Sequence, residues 1–169
     1  YGIPTAKYSI YEDETKAKEE IDSFGLPVVI KADGLAAGKG VIIASTKEEA
    51  LNAIDIIMKE KHFGEAGNKV VVEEFLEGKE VSILAFVDGK TAVPMVSAQD
   101  YKRVFNNDKG LNTGGMGAIS PAPHYDDKVA VEVMEKIIKP TVEAMNKENR
   151  PYKGVLYFGL MITKDGPKV

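Results

Sequence analysis

Lys31-Ala32-Asp33-Gly34-Leu35-Ala36-Ala37-Gly38-Lys39-Gly40 lies between two strand-like runs, residues 26–31 and 41–44. Glycine and alanine let backbone N–H groups approach a phosphate closely, and Lys31 and Lys39 can neutralise its charge. The spacing is not that of a P-loop. Gly34 and Gly38 enclose three residues, Gly40 stands after Lys39 where Ser or Thr is needed, and a strand follows where a helix should. A dinucleotide-binding turn is excluded too, because the glycine spacing differs and the loop joins two strands instead of opening a helix. Two readings remain: a flap that covers its ligand, or a glycine-rich hairpin with surface lysines.

Working outward, residues 12–24 place Ala17, Ile21 and Phe24 on one helical face opposite a Lys/Glu-rich one, with Gly25 at the C-cap position. A capping box, Ser45 with Glu48 or Thr46 with Glu49, opens a second helix whose Leu51, Ile54, Ile57 and Met58 share a face. That helix is expected to end near His62 and Gly64. The order strand, helix, strand, strand, helix, strand through Glu74 describes a small α+β lobe with helices on a mostly antiparallel sheet. The boundary is set near Glu73, giving lobes 1–73 and 74–169.

In the second lobe, residues 81–87 and 91–96 are apolar runs joined by Asp88-Gly89, a two-residue hairpin signal. Residues 97–123 show little periodicity and many Gly, Asn, Asp, Lys and Pro; a stretch of about 27 residues without regular structure is usually functional or disordered. Asp126 or Asp127 caps a long helix carrying Val129, Val133, Met134, Ile137 and Ile138, which Pro140 should kink or split. Residues 154–162 read as a buried strand, with Lys164-Asp165-Gly166-Pro167 as its turn and Lys168-Val169 opening a partner. With no initiator Met at Tyr1 and an apparently unclosed hairpin at the other end, the chain is expected to be a piece of a longer protein, truncated at its C-terminal end.

Two further segments carry chemistry. Val70-Val71-Val72-Glu73-Glu74-Phe75-Leu76-Glu77-Gly78-Lys79-Glu80 ends a buried strand in a polar, partly apolar linker. A strand end of this kind suits an adenine, read by main-chain groups, sandwiched by apolar side chains, and followed by a carboxylate that accepts from both ribose hydroxyls. A solvated Glu-rich turn would look the same. Gln99-Asp100-Tyr101-Lys102-Arg103 stands before Asn112-Thr113-Gly114-Gly115-Met116-Gly117-Ala118, so a Lys-Arg pair accompanies a second glycine-dense segment. The pair suits a phosphate or carboxylate, and Gly114 and Gly115 let main-chain donors face a small substrate. A surface loop is the plainer alternative.

Composition narrows the field. Among 169 residues, 44% are hydrophobic and 28% charged, as in ordinary globular chains, and no apolar run approaches the ~18 residues of a membrane span. The net charge of −4 gives no broad basic surface for nucleic acid. The lack of cysteine removes disulfides, thiolate metal sites and cysteine nucleophiles, and fits a cytoplasmic location. His62 and His124 have no neighbouring ligand at metal spacing, and no Ser-His-Asp set is identifiable.

Taken together, residues 31–40, 72–78, 99–103 and 112–118, with Ser120-Pro121-Ala122-Pro123, resemble the ATP-grasp superfamily and, within it, the phosphoribosylamine–glycine ligase family, over essentially the whole chain. The resemblance implies an α+β ATP-grasp fold, two lobes with a nucleotide site between them. It implies ligation of glycine to 5-phosphoribosylamine through a glycyl phosphate, yielding glycinamide ribonucleotide, ADP and phosphate in the second step of purine synthesis. On the matching positions it assigns ATP contacts to Lys31, Gly34, Gly38, Lys39, Gly40, Glu73, Glu74, Phe75, Leu76 and Glu80. Of these, Glu74 and Leu76 would act through their main chains and Glu80 would hold the ribose. It places phosphoribosylamine and glycine near Gln99, Asp100, Lys102, Arg103, Thr113, Gly114, Gly115 and Met116. Family members usually carry His where this chain has Tyr101. Mg2+ or Mn2+ is implied, held by a Glu and an Asn expected beyond Val169, and N- and C-terminal domains of the same polypeptide are the implied partners. No acid or base is assigned. Without that Glu and Asn and those domains the chain is expected to be inactive. Another ATP-grasp ligase or carboxylase, or a nucleotide-binding regulatory module, is the alternative.

Overall fold

The computed structural model describes the chain apart from residues 35, 37–39, 107 and 108 and the side chains of Lys109, Leu111 and Asn112. It divides into two compact units, Ala6–Leu76 and Tyr1–Thr5 with Glu77–Val169.

In the first unit, strands β1 (Tyr8–Tyr11), β2 (Val28–Ala32), β3 (Val41–Ala44) and β4 (Val70–Glu74) form an antiparallel sheet in the order β1-β4-β2-β3. The strand period of two sends Val28 and Ile30 of β2 and Val70 and Val72 of β4 to one face, where all four are fully buried. Helices α1 (Glu14–Glu20, continued as a 3-10 turn through Phe24) and α2 (Lys47–Ile54) cover that face with Ala17, Ile21, Ala50, Ala53 and Ile54. Asp13 caps α1 by accepting from the Lys16 N–H at 3.1 Å. Of the two possible capping boxes, Thr46 with Glu49 is the one formed. Helical backbone after α2 ends with a π turn at Lys59, earlier than the expected His62, and Lys61 takes a positive φ of 52°.

In the second unit, β5 (Lys79–Val87), β6 (Ala92–Pro94), β9 (Gly154–Thr163) and β10 (Gly166–Lys168) form a sheet in the order β10-β9-β5-β6. Val81, Ile83, Ala85, Phe158 and Leu160 from its inner face pack on Val133, Ile137, Ile138 and Val142 of the helical run α3 (Asp127–Val133), a π turn, and α4 (Lys139–Lys147). Asp126 is the cap, and Pro140 sits in the first turn of α4, where its missing N–H is least costly.

Four expectations are corrected. Residues 97–123 hold a ribbon, β7 (Gln99–Phe105) paired antiparallel with β8 (Lys109–Ile119), hidden from sequence because few of its residues are buried and so no apolar alternation marks its strands. The Asp88-Gly89 turn is a four-residue loop, since Val87 pairs Ala92 and the Asp88 carboxylate accepts from the N–H groups of Lys90 and Thr91. The last hairpin closes: Thr163 pairs Gly166, so the turn is Lys164-Asp165 alone and Gly166-Pro167 belong to the strand. The unit boundary follows Leu76 instead of Glu73, because β4 runs on to Glu74, and the first residues join the second unit, where the Val169 N–H donates to the Pro4 carbonyl.

Candidate functional site

Lys31 stands near the end of β2 and Glu73 near the end of β4, with Val29 opposite Glu73 and Lys31 opposite Val71. The two are therefore diagonal neighbours on the face away from the helices, and Lys31 Nζ lies 2.5 Å from Glu73 Oε2. An ammonium held in this way at a strand end is positioned to meet an anion. Beyond it the Ala32 N–H donates to the Gly40 carbonyl at 2.8 Å and closes the base of the glycine loop. Gly38 and Lys39 lie outside the described residues. Gly34 and Gly40 have packing reasons of their own. A Cβ on Gly34 would stand 2.8 Å from Ala66 Cβ, and one on Gly40 would stand 2.7 Å from Ala36 Cβ.

The strand end that follows is more committed than the sequence suggests. The Glu74 N–H donates to the Lys7 carbonyl at 2.9 Å, and the Glu74 carboxylate accepts from the Lys7 N–H at 3.0 Å. Phe75 and Leu76 lie past the last ladder pair, Val28 with Glu74, and are half-buried. Lys7 was missed in the sequence reading, for it lies in no motif. Its Nζ donates to the Ser23 carbonyl and stands 5.1 Å from the Phe24 ring centre.

In the second unit Glu80 of β5 meets β7. Lys102 Nζ lies 3.2 Å from Glu80 Oε2 and 3.4 Å from Asp100 Oδ2. Burial pulls the Lys102 ammonium down, but the carboxylates of Glu80 and Asp100 outweigh it and hold the group above its ordinary range. The β7–β8 register pairs Tyr101 with Gly117 and then Arg103 with Asn112, so residues 113–116 bulge out opposite Lys102. Thr113, Gly114, Gly115 and Met116 are thus one structural feature. The Thr113 hydroxyl donates to the Lys102 carbonyl at 2.7 Å and accepts from the Gly115 N–H at 3.1 Å. Arg103 donates to the Gly110 carbonyl across the ribbon. Gln99 Oε1 is buried with no hydrogen-bond partner among the described residues, an acceptor that asks for a donor.

Ser97, which no sequence signal marks, ties the ribbon down. It is 5% exposed, its hydroxyl accepts from the Ala122 N–H, and its carbonyl accepts from the Ser120 hydroxyl. A bridge between Ser82 and Ala98 joins the same base to β5. A cavity of about 300 Å³ against β9, lined by residues that include Ile3, Thr141 and Phe158, involves none of these side chains. Among the described residues, no group of three His, Cys, Asp or Glu side chains suits a metal ion, and no helix is long and apolar enough to cross a membrane.

Comparison with known proteins places the chain as a whole. The family model for phosphoribosylglycinamide synthetase, ATP-grasp (A) domain, matches residues 1–169. The phosphoribosylamine–glycine ligase of Halalkalibacterium halodurans is 52% identical over 169 residues, covering 100% of this chain and 40% of that protein. The chain therefore spans about 40% of the length of that curated relative. The crystal structure of the Thermotoga maritima phosphoribosylamine–glycine ligase superposes with a TM-score of 0.90 at 37% identity, covering 100% of this chain and 43% of that one. A more distant structure is the biotin carboxylase domain of Hydrogenobacter thermophilus 2-oxoglutarate carboxylase, in complex with the magnesium salt of ADP. At 17% identity and a TM-score of 0.68, covering 98% of this chain and 34% of that one, it shares the fold alone. With the family model spanning every residue, the α+β fold is an ATP-grasp fold, and the chain belongs to the phosphoribosylglycinamide synthetase ATP-grasp (A) domain family.

Proposed function

We propose that this chain supplies the nucleotide-binding part of an ATP-dependent ligase that joins glycine to 5-phosphoribosylamine. The glycine carboxylate attacks the γ-phosphorus of ATP and ADP leaves. The amine nitrogen of phosphoribosylamine then attacks the acyl carbon of the glycyl phosphate, losing a proton as phosphate departs and glycinamide ribonucleotide forms. Little covalent chemistry falls to the protein, so positioning, charge neutralisation and exclusion of water from the acyl phosphate carry the rate.

In this reading Lys31 meets a phosphate of ATP, the 31–40 loop with Gly34 and Gly40 approaches the others, Phe75 and Leu76 receive adenine, and Glu80 receives the ribose hydroxyls. Gln99, Asp100, Lys102, Arg103 and residues 113–116 face the glycine and phosphoribosylamine. The observation that carries the reading is the bulge at residues 113–116 opposite Lys102, on the same ribbon as the orphaned Gln99 oxygen. That oxygen suits an amine or ammonium donor, which both substrates present. Among the described residues no group of three or more His, Cys, Asp or Glu side chains would hold Mg2+. Its Glu and Asn ligands, together with N- and C-terminal domains, are proposed to belong to the rest of a longer cytoplasmic polypeptide.

Calorimetry with ATP on the chain, on Lys31→Ala and on a version extended beyond Val169 by the strand expected to carry Glu and Asn tests this. We expect the Lys31→Ala variant to bind ATP about tenfold more weakly, about 1.4 kcal/mol, with magnesium dependence gained on extension. Folded protein that gives no heat in all three samples would overturn the nucleotide assignment.

A further inference from the structure

Lys102 is bonded at both of its ends. It has no Cα partner in the β7–β8 ladder, because it faces the bulge. Its carbonyl is held by the Thr113 hydroxyl, which in turn receives the Gly115 N–H. Its ammonium bridges Glu80 on β5 and Asp100 on its own strand. A continuous chain of bonds therefore runs from Glu80 through Lys102 and Thr113 to Gly115, the most conformationally committed residue of the bulge, with a φ of +124°.

Among the described residues, and leaving aside the chain neighbours, no atom lies within 4 Å of where a Cβ on Gly114 or Gly115 would stand, so no described side chain packs against this part of the bulge. Its order depends on hydrogen bonds instead, and the most direct of these begins at Lys102. The Glu80 carboxylate uses Oε2 on Lys102, and a carboxylate has further lone pairs with which to accept two hydroxyls.

We propose that Lys102 is a positioning residue that couples the ribose diol of the nucleotide, held by Glu80, to the order of the bulge at residues 113–116. This rests on the assignment of Glu80 to the ribose. A diol that fixes the Glu80 carboxylate fixes the ammonium paired with it, and the lysine backbone then carries that restraint to Thr113 and Gly115. Because coupling between sites is reciprocal, a ligand that orders the bulge must tighten nucleotide binding by the same factor. The ribbon thereby favours joint occupancy by the nucleotide and a small substrate.

The test is amide hydrogen exchange of residues 113–117 in the 169-residue chain, with each nucleotide titrated to saturation as followed by calorimetry. We expect ATP to slow exchange at Gly114 and Gly115 by roughly fivefold or more, a typical allosteric factor. We expect 2′,3′-dideoxy-ATP, which lacks the diol, to leave exchange unchanged. In Lys102→Met the slowing by ATP should vanish, and in Lys102→Arg, which keeps a cation on Glu80, part of it should return. Equal slowing by ATP and dideoxy-ATP, or slowing by ATP that survives in Lys102→Met, overturns the coupling. Binding of ATP by calorimetry with unchanged exchange overturns the coupling but leaves the nucleotide assignment standing. No binding of either nucleotide, by this chain or by the version extended beyond Val169, overturns both.

Discussion

The two glycine-dense segments, residues 31–40 and 112–118, look alike in sequence and use glycine for opposite reasons. In the first, Gly34 and Gly40 sit where a Cβ would collide with Ala66 or Ala36, so glycine is required because neighbours are close. In the second, no described residue crowds Gly114 or Gly115, and Gly115 takes a φ of +124° that an L side chain rarely adopts. One segment is short of room and the other is shaped by its backbone. A glycine in a motif therefore announces that something must come near or that the chain must turn, without saying which.

Substitutions can break this contrast. The largest effect is expected for Gly34→Ala, which should destabilise the first unit by about 2–3 kcal/mol in guanidinium denaturation, the cost of overpacking. A loss below about 0.5 kcal/mol, within the noise of surface changes, would mean that the 3-10 turn carrying Ala66 yields freely and that the contrast is false. Gly115→Ala should cost about 1–2 kcal/mol through backbone strain, whereas Gly114→Ala, with open space and no positive φ, should change stability little. Equal losses at the two positions would show that the bulge is shaped by something other than the Gly115 backbone.

A smaller effect tests whether surface charge distinguishes the two units. Lys18 Nζ of α1 lies 2.7 Å from Asp55 and 2.6 Å from Glu14, and the Lys18 ammonium holds the Asp55 carboxyl below its usual range. The Asp55 contribution is full above the ordinary carboxylate pKa near ~4 and is lost as pH falls through the depressed value. Lys18 is held above its usual range, first by Asp55 and then by Glu14, so its contribution is lost only on the alkaline side. Lys18→Met should cost about 0.5 kcal/mol at neutral pH and flatten the acid limb of a thermal melt. An acid limb as steep as before would remove Lys18 and Asp55 from the pH response of this unit.

Most of the first unit could be read from the residues. The apolar runs 28–30 and 70–72 mark β2 and β4, and a capping box, Ser45 with Glu48 or Thr46 with Glu49, marks the start of α2, because these signals are local and each is confined to a few successive residues. The β7–β8 ribbon could not. Its register depends on pairing between residues 99–105 and 109–119, and the bulge opposite Lys102 makes the two strands unequal in length. Apart from Lys7 and Ser97, the candidate residues of the site stand in sequence motifs. Their connections are not written there: that Lys31 pairs with Glu73, that Lys102 reaches Glu80, or that Glu74 is tied to Lys7.

Residue order alone settled the family, the α+β class and the positions where phosphate, base and substrate chemistry would be sought, since these rest on residue types at short, fixed separations. Folding settled which charges meet, which glycines are crowded, and where the units divide. Those depend on partners far apart in the chain. The Val169 N–H finds the Pro4 carbonyl, and Ser97 finds Ala122, only after the strands and helices between them have packed. Contacts of this kind are selected by the burial of the whole core, and no short window of sequence contains the information that selects them.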